Sequence, residues 1–297
     1  MKRAWHATHG ERQGGFTLAE IAIVTLILGL LVVGVLGSLS NQVTQGRINS
    51  TQRQLDEIRE SLLGFAARTG YLPCPDTDGD GIENAPNRSV ATALACTSVE
   101  GFLPWVTLGV SQTDAWGIRF RYRIKDEFAR ASAANSPAVG GLTPIAGCVA
   151  TSGTTDPAST SDPNNCTFDI QDTGDIQINT RGGATGKTLI TQAGGDRVSG
   201  IGIPVVIMSF GPNGYGGVDA FGNQRPLPPV SNVDENTNST DPKPVLAPVF
   251  VSRISTGLDT ACSETLAAGP LCEFDDIVTW ITTPLLVSKL IQANQLP

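Results

Sequence analysis

Histidine is nearly missing from this chain: of its 297 residues only His6 and His9 carry an imidazole, and both lie among the first ten. If that segment is lost on maturation, the remainder can form no Ser-His-Asp triad, no Cys-His pair and no histidine metal site. Charge is scarce too. Asp, Glu, Lys and Arg make up 16% of the chain, against roughly 25% in an average soluble domain. The charge present is mostly negative, 20 Lys+Arg against 28 Asp+Glu for a net −8. That balance argues against a protein that tracks phosphate backbones, so no nucleic-acid partner is expected. None of the six cysteines lies in a C-x-x-C pair, which sets aside zinc ribbons and thioredoxin-like sites. Their even number reads as disulfides formed in an oxidising compartment. Past residue 15 only Lys125, Lys187, Lys243 and Lys289 remain as lysines. No carboxylate spacing suggests a glycoside hydrolase, and the chain is not expected to be an enzyme.

What is present begins at residue 16. Residues 1–15, MKRAWHATHGERQGG, are polar and basic, and 16–37 form a run of 22 residues whose single charge is Glu20. As a helix this run rises roughly 30 Å, the hydrocarbon thickness of a bilayer, and exceeds the usual signal-peptide core of about 7–15 apolar residues. The basic leader predicts a cytoplasmic N-terminus, with everything after Gly37 on the far side. A carboxylate in such a run costs on the order of 2–3 kcal/mol unless paired, so Glu20 reads as functional, or as an interfacial residue that snorkels.

The segment Gly14-Gly15-Phe16-Thr17-Leu18-Ala19-Glu20 resembles the prepilin peptidase site of type IV pilins and type II secretion pseudopilins. The resemblance implies cleavage between Gly15 and Phe16, N-methylation of Phe16, and pairing of Glu20 with the N-terminal amine of a neighbouring subunit during filament assembly. Removing the leader takes away Lys2, Arg3, Arg12 and Glu11, leaving 17 basic against 27 acidic residues and no histidine. Where many type IV pilins have a proline in the apolar run, this chain has Gly37, with Gly29 and Gly34 before it.

Residues 38–68 continue with Val43, Ile48, Leu55, Ile58, Leu62, Phe65 and Ala66 at helical spacings, an amphipathic stripe. Thr69-Gly70 reads as its stop. One helix over 16–68 would be the pilin spine; the other reading is an anchor followed by an unrelated helix. From Tyr71 the chain is rich in Gly, Pro, Ser and Thr with short apolar runs. Ile118, Phe120, Tyr122 and Ile124 alternate with arginines, predicting a half-buried strand. Segments 166–171 and 175–180 flank Asp172-Thr-Gly174 as a hairpin signature. Residues 201–210 and 249–253 read as strands, 274–281 and 285–292 as a closing helix or helix pair broken near Pro284, and 131–165 and 218–247 as long loops.

A second resemblance lies in this region. Asp114-Ala-Trp-Gly117-Ile-Arg-Phe-Arg-Tyr122, then Ser209-Phe-Gly-Pro-Asn-Gly-Tyr-Gly-Gly217, then Asp275-Asp276-Ile-Val-Thr-Trp280 resemble, in order, the D-P-W-G and S-x-G-x-D-G…D-I-x-x-W blocks of pseudopilins. Ala115 stands for the proline and Asn213 for the loop aspartate, and insertions of roughly 60 and 55 residues separate the blocks. The expected fold is therefore α+β. A long N-terminal α-helix with a membrane-spanning first half packs on an antiparallel β-sheet head with long disulfide-stapled loops and a short C-terminal helix. The expected organisation is a leader over 1–15, a transmembrane half over 16–37, an amphipathic half over 38–68 and a periplasmic head over 69–297.

The cysteines fall in three neighbouring pairs, Cys74/Cys96, Cys148/Cys166 and Cys262/Cys272, although six cysteines allow 15 connectivities. Asp76, Asp78 and Asp80 followed by Gly81 form the front half of a calcium loop, with Asn87 at its twelfth position; the other reading is a solvated acidic turn. The pseudopilin resemblance implies a second calcium site at Asn213, Asp219, Asp275 and Asp276. No cofactor is required, and calcium is the one ligand these residues suggest.

The functional expectation is a pilin-like filament subunit, pseudopilin or minor pilin, of a Gram-negative type II secretion or type IV pilus system. The alternative is a pilus-tip adhesin or substrate-binding minor pilin whose enlarged head carries the specific function. Implied partners are a prepilin peptidase, other pilins or pseudopilins and an inner-membrane assembly platform. The implied location is a single-pass inner-membrane anchor with a periplasmic head, then a periplasmic or surface filament.

Overall fold

The computed structural model describes Gly15, 17–85, 96–129, 174–181, 188–190, 203–243, 248–257, Asp259, 261–264 and 270–295, with backbone only for 31–41, 127 and 188–190. The chain divides into two compact units, Met1–Gly46 and Arg47–Pro297, and the boundary falls within helix α1, Leu18–Thr69.

In the first unit, α1 opens with a reciprocal cap. The Glu20 carboxylate accepts from Thr17 N (2.9 Å) and Thr17 Oγ1 (3.0 Å), while Thr17 Oγ1 accepts from Glu20 N (3.2 Å). This capping box satisfies two of the amides that a helix start leaves open. Leu18, Ile21, Ile23, Val24, Leu26, Ile27, Leu28 and Leu30 are all exposed. The expected membrane-spanning first half and single-pass inner-membrane location require correction here. Among the described residues no helix is long and apolar enough to cross a membrane.

In the second unit, a four-stranded antiparallel sheet has the order β1-β2-β5-β7, formed by Glu100–Phe102, Arg121–Ile124, Val205–Ser209 and Ile277–Ile281. One face carries Phe120, Tyr122, Ile124, Val205, Ile207 and Ile281, packed with Leu55, Ile58, Leu62, Leu63 and Ala66 of α1. The predicted stripe is therefore the buried one from Leu55 onward, whereas Val43 is exposed. Gly70 ends the helix at φ 83°, its N–H on Ala66 O, a left-handed cap that glycine takes without a Cβ clash. A last helix, α4 (Thr283–Gln292), adds Leu286 and Leu290 to this core.

On the other face, Val206 and Met208 meet a second, three-stranded sheet of order β4-β3-β6, formed by Thr188–Ile190, Gln177–Asn179 and Val249–Val251. Ile176, Ile178, Ile203 and Phe250 fill the space between. Here β3 runs antiparallel to β4 but parallel to β6. The first arm of the expected 166–180 hairpin lies outside the described residues, as does the expected 131–165 loop.

Three further expectations change. Strand β2 is buried on both faces, not half-buried, because its arginines are covered as well. The alternation also breaks at Ile118, which joins the second cluster with Phe210 rather than the α1 face. Residues 277–281 form an edge strand paired antiparallel to β5, from Val205↔Ile281 to Ser209↔Ile277, rather than a helix. The β-branched and aromatic run Ile-Val-Thr-Trp-Ile suits a pleated surface, and Pro284 starts α4 instead of breaking it. Finally, 218–247 is not only loop: it holds α3, Val233–Ser239. Disulfides link Cys74 to Cys96 and Cys262 to Cys272; Cys148 and Cys166 lie outside the described residues.

The covered arginine face is built on Glu100. Its carboxylate pairs with Arg121 and, through the other oxygen, with Arg123 Nη1 at 2.7 Å, all three side chains being buried. Arg121 also donates to Asn238 O (2.9 Å) and Thr240 O (2.7 Å), which ties the α3 segment across β2. Removing the shared carboxylate takes away the buried counter-charge common to both arginines, leaving Arg121 with Asp241 at 3.5 Å and the two carbonyls. Glu100→Ala should therefore cost about 3–5 kcal/mol, read as a fall in urea midpoint at unchanged m-value. A loss below about 1 kcal/mol, the range of a solvent-exposed pair, would contradict this account.

Candidate functional site

The three sequence blocks that carry the pseudopilin resemblance are hydrogen-bonded to one another. Asp114 is buried at the turn before β2. Its Oδ1 accepts from Trp116 N and Ile118 N, both at 2.9 Å, and Gly117 takes φ 82° to close that turn. Asp114 Oδ2 accepts from Ser209 Oγ at 2.6 Å, joining the first block to the end of β5. Burial pushes the Asp114 carboxyl up, and these hydrogen bonds oppose it. The neighbouring Ala115 N donates to Thr51 Oγ1 on α1 (3.2 Å), so the turn is also tied to the helix.

From Ser209 the chain turns through Gly211 at φ 61°, where a Cβ would lie 2.3 Å from Asp275 O. Only glycine lets the loop approach the third block this closely. Asn213 then holds the joint: its N–H donates to Asp275 Oδ2 (3.0 Å) and its Nδ2 to Glu235 Oε1 (3.0 Å). Asp275 N also donates to Glu235 Oε1 (3.2 Å).

Glu235 reaches this point from α3. Asn232 caps that helix by accepting from Glu235 N (3.2 Å), and its Nδ2 donates to Glu235 Oε2 (3.0 Å) and Glu273 O (2.7 Å). Asp276 is buried and accepts from Asn238 Nδ2 at 2.8 Å. Glu235, Asp275 and Asp276 thus bring three carboxylates within 4.8 Å of one another. Asp275 Oδ1 is buried there with no hydrogen-bond partner.

Burial, then the charge of Glu235, pushes the Asp276 carboxyl up to about 8. Burial likewise pushes Asp275 and Glu235 upward, with Glu235 and Asp276 adding to the shift at Asp275. The donor set suits a hard divalent cation, which takes carboxylate oxygens at this spacing, and the orphaned Asp275 Oδ1 is the oxygen such an ion would satisfy.

Of the positions the resemblance implied, Asp275 and Asp276 belong to this cluster. Asn213 acts as a hydrogen-bond donor instead of a charged ligand. Asp219 is elsewhere, pinning its own exposed turn by accepting from Phe221 N and Asn223 N. Glu235 was not expected. The pattern Asn232-x-x-Glu235 is a capping signature, but Val-Asp-Glu-Asn-Thr-Asn-Ser lacks the apolar stripe that marks a helix.

The Asp76–Asp80 loop is arranged differently. Asp76 is buried, with Oδ1 accepting from Asp78 N (3.1 Å) and Gly79 N (2.7 Å) and Oδ2 from Gly81 N (2.9 Å). Asp78 accepts from Asp80 N, and Asp80 from Ile82 N. The three carboxylates lie within 4.8 Å of one another, but they are spent on turn amides, and Asn87 lies outside the described residues. At the other end of the chain Gly15 is exposed and Glu20 sits in the first turn of α1; Phe16 lies outside the described residues.

No family model, curated protein or solved structure matches the chain. Its class is therefore argued from its own motifs and their meeting point.

The raised carboxyls set a pH dependence. Their folded-state pKa values lie above the ordinary 3.8 for Asp and 4.5 for Glu. The folded protein keeps protons that the unfolded chain releases, so stability falls as pH rises through this range. Lys243, which burial and then Arg121 lower to about 7, acts in the opposite sense only near and above that value. The metal-free melting temperature should therefore fall between about pH 4.5 and 6.5, and Asp276→Asn should flatten that slope. An unchanged slope in Asp276→Asn would remove Asp276 as its source.

Proposed function

We propose that this chain is a pilin-like filament subunit, a pseudopilin or minor pilin, cut by a prepilin peptidase between Gly15 and Phe16 and N-methylated at Phe16 before assembly. Its work is mechanical, and no catalytic role is assigned. The observation that carries the reading is the contact of Ser209 Oγ with Asp114 Oδ2 at 2.6 Å. It joins two motif blocks 95 residues apart, and Asn213 joins the second block to the third through Asp275. Residues that resemble a pseudopilin signature in sequence thus form one bonded unit, which supports the reading.

The N-terminus supports the same reading. Gly15 is exposed and a Cβ added there meets nothing within 4 Å, so the glycine answers to something other than packing. Glu20 has two tasks in this reading. It caps α1 through Thr17, and its exposed carboxylate takes the N-terminal amine of a neighbouring subunit. Calcium is proposed at Glu235, Asp275 and Asp276, where it would supply positive charge to three crowded carboxylates.

The processing test is direct. Gly15→Glu should fold normally yet keep its leader, seen as a slower band and as an intact mass including residues 1–15. Glu20→Gln keeps a side chain able to close the capping box but loses the charge. It should be processed normally and enter filaments at a small fraction of the normal level. Normal assembly of Glu20→Gln would reduce Glu20 to a helix cap, and normal processing of Gly15→Glu would end the peptidase assignment.

A further inference from the structure

The arm from Asp219 to Val230 is firmly held, yet its apolar side chains are left in solvent. Phe221, Leu227 and Val230 are 90%, 63% and 88% exposed, three large apolar side chains within ten residues. A lone exposed leucine needs no explanation, but a cluster of this kind on one short arm marks an interaction surface. Hydrogen bonds fix the arm's backbone. Asp219 accepts from Phe221 N (2.8 Å) and Asn223 N (2.9 Å), and Ala220 O accepts from Arg119 Nη2 (3.0 Å). Further on, Arg225 N donates to Gly217 O and Pro226 O accepts from Gly216 N, both at 2.8 Å, while Pro229 O accepts from Asn232 N at 2.9 Å. Pro226, Pro228 and Pro229 add fixed φ angles. The arm therefore has little conformational entropy left to lose on binding.

Beside the arm lies a cleft of about 260 Å³. Phe102, Phe210 and Val218 give it an apolar lining, and Glu100, Arg121 and Asp241 supply its charge. It is smaller than the roughly 300–1,000 Å³ of small-molecule sites and suits a side chain or two. Arg121 is already held by Glu100 and by the carbonyls of Asn238 and Thr240. Asp241 lies 3.5 Å from it with a side chain 72% exposed, which leaves a carboxylate open to a second cation. Arm and cleft adjoin: Gln224 lines the cleft, and so does Gly216, whose N–H holds Pro226 O. Arg225 is exposed and is the one charged residue between Asp219 and Asp234. The arm thus offers one cation among apolar groups, and the cleft one open carboxylate among apolar groups.

We infer that two copies of this chain pair through this surface, the arm of each entering the cleft of the other, with Arg225 against the partner's Asp241 and Leu227 in the partner's apolar lining. Because arm and cleft are contiguous, the exchange is reciprocal and each contact occurs twice. A chain of net charge −8 repels its own copies. An encounter that sets a cation on a carboxylate at two points is therefore favoured over unspecific ones. A reciprocal contact closes at two copies and does not propagate. It is separate from the filament contact proposed through Glu20, and its failure would leave that reading standing.

The test uses the full chain in a mild detergent, which covers the exposed apolar residues of α1, and reads pairing by sedimentation velocity across a concentration series. The unmutated chain should pair. Arg225→Glu and Asp241→Lys should each weaken pairing about tenfold or more, since each sets like charges together at both contacts. An equimolar mixture of the two variants should pair nearly as the unmutated chain does, because each supplies the charge the other lacks. Only a contact between copies gives this rescue. Leu227→Glu should abolish pairing at an unchanged melting temperature, and it decides alone if Asp241→Lys lowers that temperature. A chain that stays monomeric at every concentration overturns the inference, as does unaltered pairing in Leu227→Glu or Arg225→Glu. Two weakened variants whose mixture is not rescued overturn the reciprocal exchange.

Discussion

The carboxylate of Glu100, shared between Arg121 and Arg123, is the contact on which the rest of the head depends. Two arginines on one face of a central strand cannot be left in an apolar interior, and one carboxylate cannot satisfy all their donors. The chain must bring further acceptors to them, and it does so with carbonyls from the α3 segment. The other face of the same strand carries Phe120, Tyr122 and Ile124 against α1. One strand thus separates a packed hydrocarbon core from a buried layer of charge.

The charge layer has its own logic. Asp234 and Glu264 meet Arg253, and Glu264 also receives the N–H of Cys272, so the small disulfide loop is drawn into the network. Lys243 lies over the Phe250 ring and donates to Thr237 O. Burial and two nearby arginines hold its pKa down, as burial and the Glu235 carboxylate hold Asp276 up. Fixed arginine pairs give this layer its strength, and the groups near neutrality make it responsive. The acidic joint at Glu235, Asp275 and Asp276 is where the pairing is incomplete.

Parts of this arrangement were legible in the residues. The spacing of Leu55, Ile58, Leu62 and Ala66 marked the buried face of α1, and Phe120, Tyr122 and Ile124 marked one face of β2. Asp275 and Asp276 were reached through the resemblance to the pseudopilin ending, while Glu235 was not. Other parts were not legible. The arginines of β2 looked like a solvated face because the segment that buries them lies more than a hundred residues away. Ile-Val-Thr-Trp-Ile was expected in a helix but pairs with β5 as a strand, since periodicity does not separate the two in a short apolar run. The apolar run from Phe16 suggested a membrane span by composition, yet no described helix is long and apolar enough to be one.

Residues near in sequence settled the local features: the Thr17–Glu20 cap, the Gly70 stop and the turn at Gly117. Each depends on side chains or backbone angles within a few positions, so the chain carries the whole instruction in one place. The tertiary structure alone decided that Ser209 reaches Asp114, that Glu235 joins Asp275 and Asp276, and that Glu100 faces two arginines. These are meetings of charges and hydrogen-bonding groups from distant segments. Their energy depends on burial and mutual distance, which no local pattern encodes.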